Sequence, residues 1–225
     1  MSLINTMNNA VSTIHFISLN CQGLGDKRKR GRLIQYLNEQ KSQIVFLQET
    51  HFTENVKLSL RSEFTDWDLY HSFGESNSRG CTIMLSKTIA YKVLSYDTDV
   101  NGRYIILNVE ILSDNYSLIN MYAPNIKRPR EHFFATLQEQ IAEKSNGVKI
   151  LGGDFNEVLT TTDRVTQSKY KRNKTLSGLV DLMKHLNLTD IWKLKNPEKC
   201  QFTWRRKNSI EKSRIDFWLI DENIT

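Results

Sequence analysis

The sequence predicts an α/β domain, and three features carry that expectation. A strand, helix, strand pattern occurs near the N-terminus, the same pattern returns after the middle of the chain, and a β-rich stretch with short turns lies between. The first such run is expected to give two parallel strands joined by a right-handed crossover. The recurrence suggests two sheet halves, each sending strand-end loops to one cleft.

In order, Ile14 to Leu19 alternates only in part and reads as a strand buried on both faces, ending at Asn20. After the turn Gly23-Leu24-Gly25-Asp26, residues Leu33, Ile34 and Leu37 recur at spacings of three and four, so Lys27 to Gln40 is expected to be an amphipathic helix capped by Asp26. Ile44 to Gln48 is a second buried strand, ending at Glu49. Parallel strands put their carboxyl ends on one edge, so Asn20 and Glu49 should share a mouth. Strands are expected at Trp67 to His71, Cys81 to Leu85, Tyr91 to Tyr96, Tyr104 to Val109 and Tyr116 to Met121. The turns Asp97 to Gly102 and Ser113 to Asn115 favour antiparallel pairing among them. Tyr122-Ala123-Pro124-Asn125 then leads into a helix from Pro129 to Lys144 and a strand from Val148 to Leu151, which puts Tyr122 and Asp154 just past strand ends. A helix from Thr175 to Leu186 and strands Gln201 to Arg205 and Arg214 to Ile220 complete one domain, expected over residues 13–225 behind a flexible, polar segment 1–12.

Composition bounds the function classes. A chain of 225 residues with 39% hydrophobic and 25% charged residues can bury a real core and is not a disordered tail. No apolar run approaches the ~20 residues that span a bilayer, and the start has no secretory pattern, so an intracellular protein without a membrane partner is expected. Cys21, Cys81 and Cys200 are widely spaced, with no zinc or redox pair, so reduced thiols are expected. The formal charge of +6 is compatible with a polyanionic partner without requiring one.

Polar groups concentrate at four strand-end segments: Leu19-Asn20-Cys21-Gln22-Gly23, Leu47-Gln48-Glu49-Thr50-His51, Gly152-Gly153-Asp154-Phe155-Asn156 and Ser213-Arg214-Ile215-Asp216. Each has a bland reading. An Asn ending a strand is ordinarily a turn residue, a Glu after apolar residues can mark where a strand meets water, and Gly-Gly-Asp is a common turn. In Asp154-Phe155-Asn156, however, two polar groups share one face of an extended segment with the aromatic ring opposite. Asp216 lies between Ile215 and Phe217, and a buried carboxylate there needs a partner; Arg214 is two residues away on the same face.

Taken in order, Asn20, Gln48-Glu49-Thr50-His51, Tyr122-Ala123-Pro124-Asn125, Gly153-Asp154-Phe155-Asn156, Phe202-Thr203-Trp204 and Ser213-Arg214-Ile215-Asp216 resemble the motifs of the non-LTR retrotransposon branch of the exonuclease, endonuclease and phosphatase superfamily. Ser78-Arg79-Gly80 before a strand fits as well, and the resemblance spans residues 14 to 221. It implies a four-layered α/β sandwich, two packed mixed β-sheets flanked by helices, and a divalent metal at the cleft, Mg2+ or else Mn2+. Magnesium keeps several waters, so one Glu plus a substrate phosphate is a plausible site. By resemblance, Glu49 is the metal ligand, with Asn20 near metal or phosphate. Asp154 would orient or deprotonate the attacking water, Asn156 would donate to the phosphate, and Tyr122 would contact the phosphate or leaving group. Asp216 matches the aspartate that holds a catalytic histidine in the correct tautomer. None of His15, His51, His71, His132 or His185 stands where the family has its final Ser-Asp-His segment, so a C-terminally truncated domain is expected.

The implied activity is nicking of double-stranded DNA to leave a 3′ hydroxyl for a reverse transcriptase in the same polyprotein, in the nucleus and as a monomer. The alternatives are an inert DNA-binding module and an abasic-site repair endonuclease. Phosphate contact wants Lys, Arg and hydroxyls. Lys171, Arg172 and Arg205 are candidates from the basic runs, and Thr203, Ser213 and Arg214 from the family resemblance. Lys27 to Arg30 reads as a solvated helix start, and Trp204 as equally well a core residue.

Overall fold

A computed structural model describes residues 13–166 and 174–224. The first half runs β1 (Phe16–Asn20), α1 (Lys27–Glu39), β2 (Ile44–Gln48), α2 (Lys57–Glu63), β3 (Trp67–Ser72), β4 (Cys81–Ser86), β5 (Tyr91–Thr98) and β6 (Tyr104–Ile111). The second half runs β7 (Asp114–Tyr122), α3 (Lys127–Lys144), β8 (Val148–Asp154), β9 (Arg164–Val165), α4 (Lys174–His185), β10 (Leu188–Asp190), α5 (Ile191–Lys195), β11 (Trp204–Arg205), β12 (Lys212–Ser213) and β13 (Asp216–Asp221).

Two large mixed sheets result, ordered β1-β2-β4-β3 and β10-β13-β8-β7-β6-β5, with a small third sheet β11-β12-β9. The β1–β2 and β7–β8 pairs are parallel, as the two strand-helix-strand runs require. The turns after β5 and β6 return the chain antiparallel, while β4 pairs with β2 and β3 in the other sheet.

Alternation along buried strands sets the layering. On β2, Ile44 and Phe46 face the second sheet while Val45 and Leu47 face α1 and α2. On β8, Ile150 points between the sheets and Leu151 points towards Phe134, Leu137 and Leu182 of α3 and α4. The layers are therefore helix, sheet, sheet, helix, the sandwich the sequence resemblance implied. Trp218 is the keystone between sheets, its ring 4.9 Å from that of Phe46 and 5.8 Å from that of Phe16. The Asp26 carboxylate accepts from Arg28 N at 2.7 Å and caps α1 as expected. Arg30 then clamps Glu63 with two hydrogen bonds of 2.7 and 2.9 Å, fixing α1 against α2.

Several expectations need correction. Gly152 and Gly153 are strand, not turn: β8 runs on to Asp154 because Gly152 leaves room for Trp218, whose Cε3 a Cβ would meet at 2.5 Å. The strand expected over Gln201 to Arg205 shrinks to β11, and the one expected from Arg214 begins at Asp216. The small sheet, α2, β10 and α5 were not foreseen, since they are short and in part exposed, with too few turns to show a period. Trp204 is 39% exposed and is not core. Among the described residues no helix is long and apolar enough to cross a membrane.

His71 makes the fold acid-sensitive. It is 7% exposed, its Nδ1 is 3.0 Å from Thr82 Oγ1, and its ring stacks on Phe73. Burial first, and then the charges of Lys57 and Arg61, push its pKa down from 6.5 to about 4. The folded state therefore keeps the ring neutral where the unfolded chain takes up a proton. This contribution is complete above pH 6.5 and is lost as the pH falls towards 4. Urea unfolding of the parent should lose about 2–3 kcal/mol more between pH 7.5 and 4.5 than His71→Gln does; equal losses would remove His71 from the account.

Candidate active site

The strand ends converge as the topology demands. Asn20 closes β1 and Glu49 follows β2, its parallel neighbour. Tyr122 closes β7 and Asp154 closes β8, and the two are register partners. Asp216 opens β13, which runs antiparallel to β8, so it too pairs with Asp154. Both sheets thus deliver their polar termini to one edge of the sandwich.

One side chain joins them. The Asn20 amide donates to Glu49 Oε1 at 2.7 Å and to Asp154 Oδ2 at 2.9 Å, linking carboxylates from opposite sheets. Beneath it, Gln48 Nε2 donates to Asn120 Oδ1 at 2.7 Å across the same gap, and Asn120 Nδ2 donates to the Leu47 and Thr82 carbonyls at 2.9 Å. Asp154 Oδ1 also accepts from Asn156 N at 2.8 Å, while the Asn156 side-chain amide donates to Ala123 O at 2.8 Å. The Tyr122 hydroxyl is set against Glu49; burial, and then the Glu49 charge, raise its pKa. Above that ring lies Arg103, its guanidinium carbon 5.2 Å from the ring centroid and Nη1 3.3 Å from Tyr122 O.

Two carboxylates here resist ionisation. Asp154 is 4% exposed, and burial followed by the neighbouring Asp216 charge pushes its pKa up to about 7. Asp216 is likewise raised, chiefly by burial, with Thr203 working in the opposite direction. A carboxylate poised near neutrality is what proton exchange with a water molecule requires. Glu49 is the more open group, its side chain 24% exposed, and its Oε2 is not the oxygen that Asn20 holds. Among the described residues no group of three or more His, Cys, Asp or Glu could cage a metal. The donor set fits a hard cation that keeps most of its water and leans on one carboxylate, since Asn20 gives its NH2 group to both carboxylates and its Oδ1 accepts from Gln22 N at 3.1 Å.

The DNA-facing expectations divide. Arg205 is exposed on β11, and Thr203 is exposed beside Asp216, its Oγ1 accepting from the Ile215 and Asp216 amides at 3.1 Å. Ser213 is buried, and its hydroxyl accepts from Arg164 Nε at 3.2 Å. Arg214 is corrected outright. It is 1% exposed and held by Asp163 at 2.8 Å and Asp190 at 2.5 Å, so it reaches neither solvent nor Asp216. Lys171 and Arg172 lie outside the described residues.

Sequence reasoning passed over Asn120 and the Arg130–Glu157 pair. Arg130 donates to the Pro124 and Asn125 carbonyls and, at 3.0 Å, to Glu157, so it ties the turn after Tyr122 to the loop after Asp154. Asn120 did carry a signal, a polar residue inside the apolar run Leu118 to Met121, as Asp216 does in its own strand.

Residues 17–225 match the profile of the Endonuclease/Exonuclease/phosphatase family. Over 202 residues the chain is 31% identical to the "Transposon TX1 uncharacterized 149 kDa protein" of Xenopus laevis; this covers 88% of the chain but only 15% of that relative. Among solved structures, an AP endonuclease from Archaeoglobus fulgidus superposes with a TM-score of 0.74 at 16% identity, covering 92% of this chain and 86% of that one. The catalytic domain of Xenopus laevis APE2 gives 0.72 at 20% identity, with 92% and 82% covered. A 3′ phosphatase, NExo, from Neisseria bound to a product DNA hairpin gives 0.73 at 19% identity, with 92% and 86% covered. At these identities the structures show a shared fold.

Two outcomes are expected. In metal-free protein, Asp216→Asn removes a neighbouring negative charge, so the Asp154 carboxyl should titrate at lower pH than in the parent, measured by carbon NMR; an unchanged midpoint would deny the coupling. Arg214→Ala leaves Asp163 and Asp190 buried without their cation and should cost about 3–5 kcal/mol of unfolding free energy. If DNA affinity fell instead while stability held, Arg214 would belong to the binding surface after all.

Proposed function

The chain belongs to the endonuclease/exonuclease/phosphatase family, and from that premise we propose that it is a metal-dependent DNA endonuclease of a non-LTR retrotransposon. The observation that carries this reading is the Asn20 amide, 2.7 Å from Glu49 and 2.9 Å from Asp154. It holds a solvent-open carboxylate and a proton-exchanging carboxylate side by side, which is the pairing that hydrolysis of a phosphodiester needs. The transposon relative and the DNA-bound structural neighbour support DNA as substrate and an element as origin.

Glu49 and Asn20 would hold the cation, Mg2+ or alternatively Mn2+. Bound there, the ion supplies charge stabilisation on the phosphate oxygens. Asp154, with both oxygens fixed by Asn20 and the Asn156 amide, orients a water molecule and accepts its proton. Asn156 has a second Nδ2 hydrogen for a phosphate oxygen beyond the one given to Ala123. Tyr122 contacts the phosphate or leaving group with a hydroxyl that stays protonated. Asp216 keeps the Asp154 carboxyl basic enough to act near neutral pH. Thr203 and Arg205, both exposed, would contact DNA phosphates, and the basic run with Lys171 and Arg172 would add charge for the same purpose. The nick leaves a 3′ hydroxyl that primes the reverse transcriptase of the same polyprotein, in the nucleus, with the nuclease acting as a monomer.

The structural neighbours that are AP endonucleases favour one second reading, cleavage at abasic sites. Conversion of supercoiled plasmid to open circle in Mg2+ tests both. Carrying the family's Ser-Asp-His segment, the protein should nick intact plasmid, chelation should stop it, and Glu49→Ala and Asp154→Ala should each slow it by about a thousandfold. Preference for abasic duplex over intact DNA by orders of magnitude would move the assignment to repair. Tight DNA binding without nicking in Mg2+ or Mn2+ would leave a binding module.

A further inference from the structure

The loop that presents Glu49 is strained in a patterned way. Glu49 and His51 both adopt left-handed backbone conformations, with φ of 50° and 57°, on either side of the fully buried Thr50. Neither is a glycine, so both are held in a region that L side chains rarely adopt. The chain is held in this shape by Gly23 N donating to Glu49 O at 2.7 Å, Thr50 N to Gly80 O at 3.0 Å and His51 N to Arg79 O at 2.9 Å. Its effect is to bring the His51 ring alongside the Glu49 carboxylate.

His51 Nε2 stands 3.8 Å from Glu49 Oε2 and, although buried, has no hydrogen-bond partner. That gap is too long for a direct hydrogen bond, and because Nε2 is sealed from solvent no water enters it; a shift of about 1 Å by either side chain closes it. The other Glu49 oxygen already accepts from Asn20 at 2.7 Å. The imidazole is held from behind by Gly23, where a Cβ would meet His51 Nδ1 at 2.8 Å, so the position that faces the ring has no room for a side chain.

We propose that His51 is a positioning residue for the cation at Glu49. By closing that gap its Nε2–H fixes Oε2 as Asn20 fixes Oε1, so that the carboxylate meets the ion in one orientation. A buried donor without a partner is costly, and the Glu49 carboxylate is the acceptor within reach. Outer partners of metal ligands set affinity because they fix the ligand before the ion arrives. This inference rests on the proposed metal-dependent reading of the site.

The test is direct Mn2+ binding, followed by electron paramagnetic resonance, in the protein as it stands and without DNA. His51→Ala should weaken binding by about 10–100-fold, and His51→Gln, which keeps a donor, should recover part of the loss. Gly23→Ala should weaken it in the same direction by displacing the ring, with the metal-free melting temperature of each variant measured alongside. A merely structural histidine would lower the metal-free melting temperature and leave the Mn2+ constant of the folded protein alone. His51→Ala binding Mn2+ within twofold of the parent overturns the role of His51 and spares the metal site. A parent protein that binds no Mn2+ at millimolar concentration overturns both.

Discussion

The cleft depends on a polar seam between two otherwise apolar sheets. Phe16, Phe46, Leu107, Leu118 and Trp218 fill the interior, and such packing is indifferent to small slides of one sheet over the other. Hydrogen bonds are not indifferent, because their geometry is directional. Gln48 reaching Asn120, and Asn20 reaching Asp154, register the first sheet against the second at the edge where the chemistry sits. Asn120 is fully buried and spends its amide on carbonyls of β2 and β4, so a slipped arrangement would strand those groups without water. The seam thereby turns a general sandwich into one with Glu49 and Asp154 held together.

Bringing carboxylates together has an electrostatic consequence. Burial makes Asp154 and Asp216 reluctant to ionise, and nearby charge adds to it: Asp216 and Glu49 act on Asp154, and Glu49 acts on Asp216. Left alone, the cluster relieves this by protonating Asp154. A divalent ion at Glu49, as proposed, would relieve it differently, by cancelling charge there, and so would favour a deprotonated Asp154. Acid behaviour and the proposed metal affinity would then be two faces of one repulsion.

How much of this was legible in the sequence depended on distance along the chain. Strand ends are local, so Asn20, Glu49, Tyr122 and Asp154 could be placed at strand ends on one edge from hydrophobic runs and parallel topology, as they are found, while Asp216, read as lying inside a strand, was brought to the cleft by the family resemblance alone. Arg214 was misread because its neighbours in sequence, Ser213 and Ile215, say nothing of Asp163 and Asp190, which lie 51 and 24 residues away. An arginine in a polar segment looks like a phosphate ligand until its partners are seen. The small sheet escaped for another reason: strands as short as Arg164–Val165 carry no period. The strand was expected to end at Leu151 and not to run through Gly152, because the ring that demands this glycine, Trp218, belongs to a strand that arrives much later in the chain.

Strain at Glu49 and His51 argues that this loop is specified by its surroundings rather than by its own sequence. Left-handed conformations at non-glycine residues persist only where tertiary contacts outweigh them. Here those contacts come from two directions: the turn after β1 donates through Gly23 and Leu24, and the loop before β4 accepts through Arg79 and Gly80. Gly80 must be a glycine, with φ of 90° and only 2.6 Å between its imagined Cβ and Thr50 Oγ1. The direction of the Glu49 carboxylate is thus set jointly by β1, β2 and β4. A conformation so determined is costly to build and hard to deform, which would suit the proposed role of a carboxylate that meets a cation in one orientation before any substrate is present.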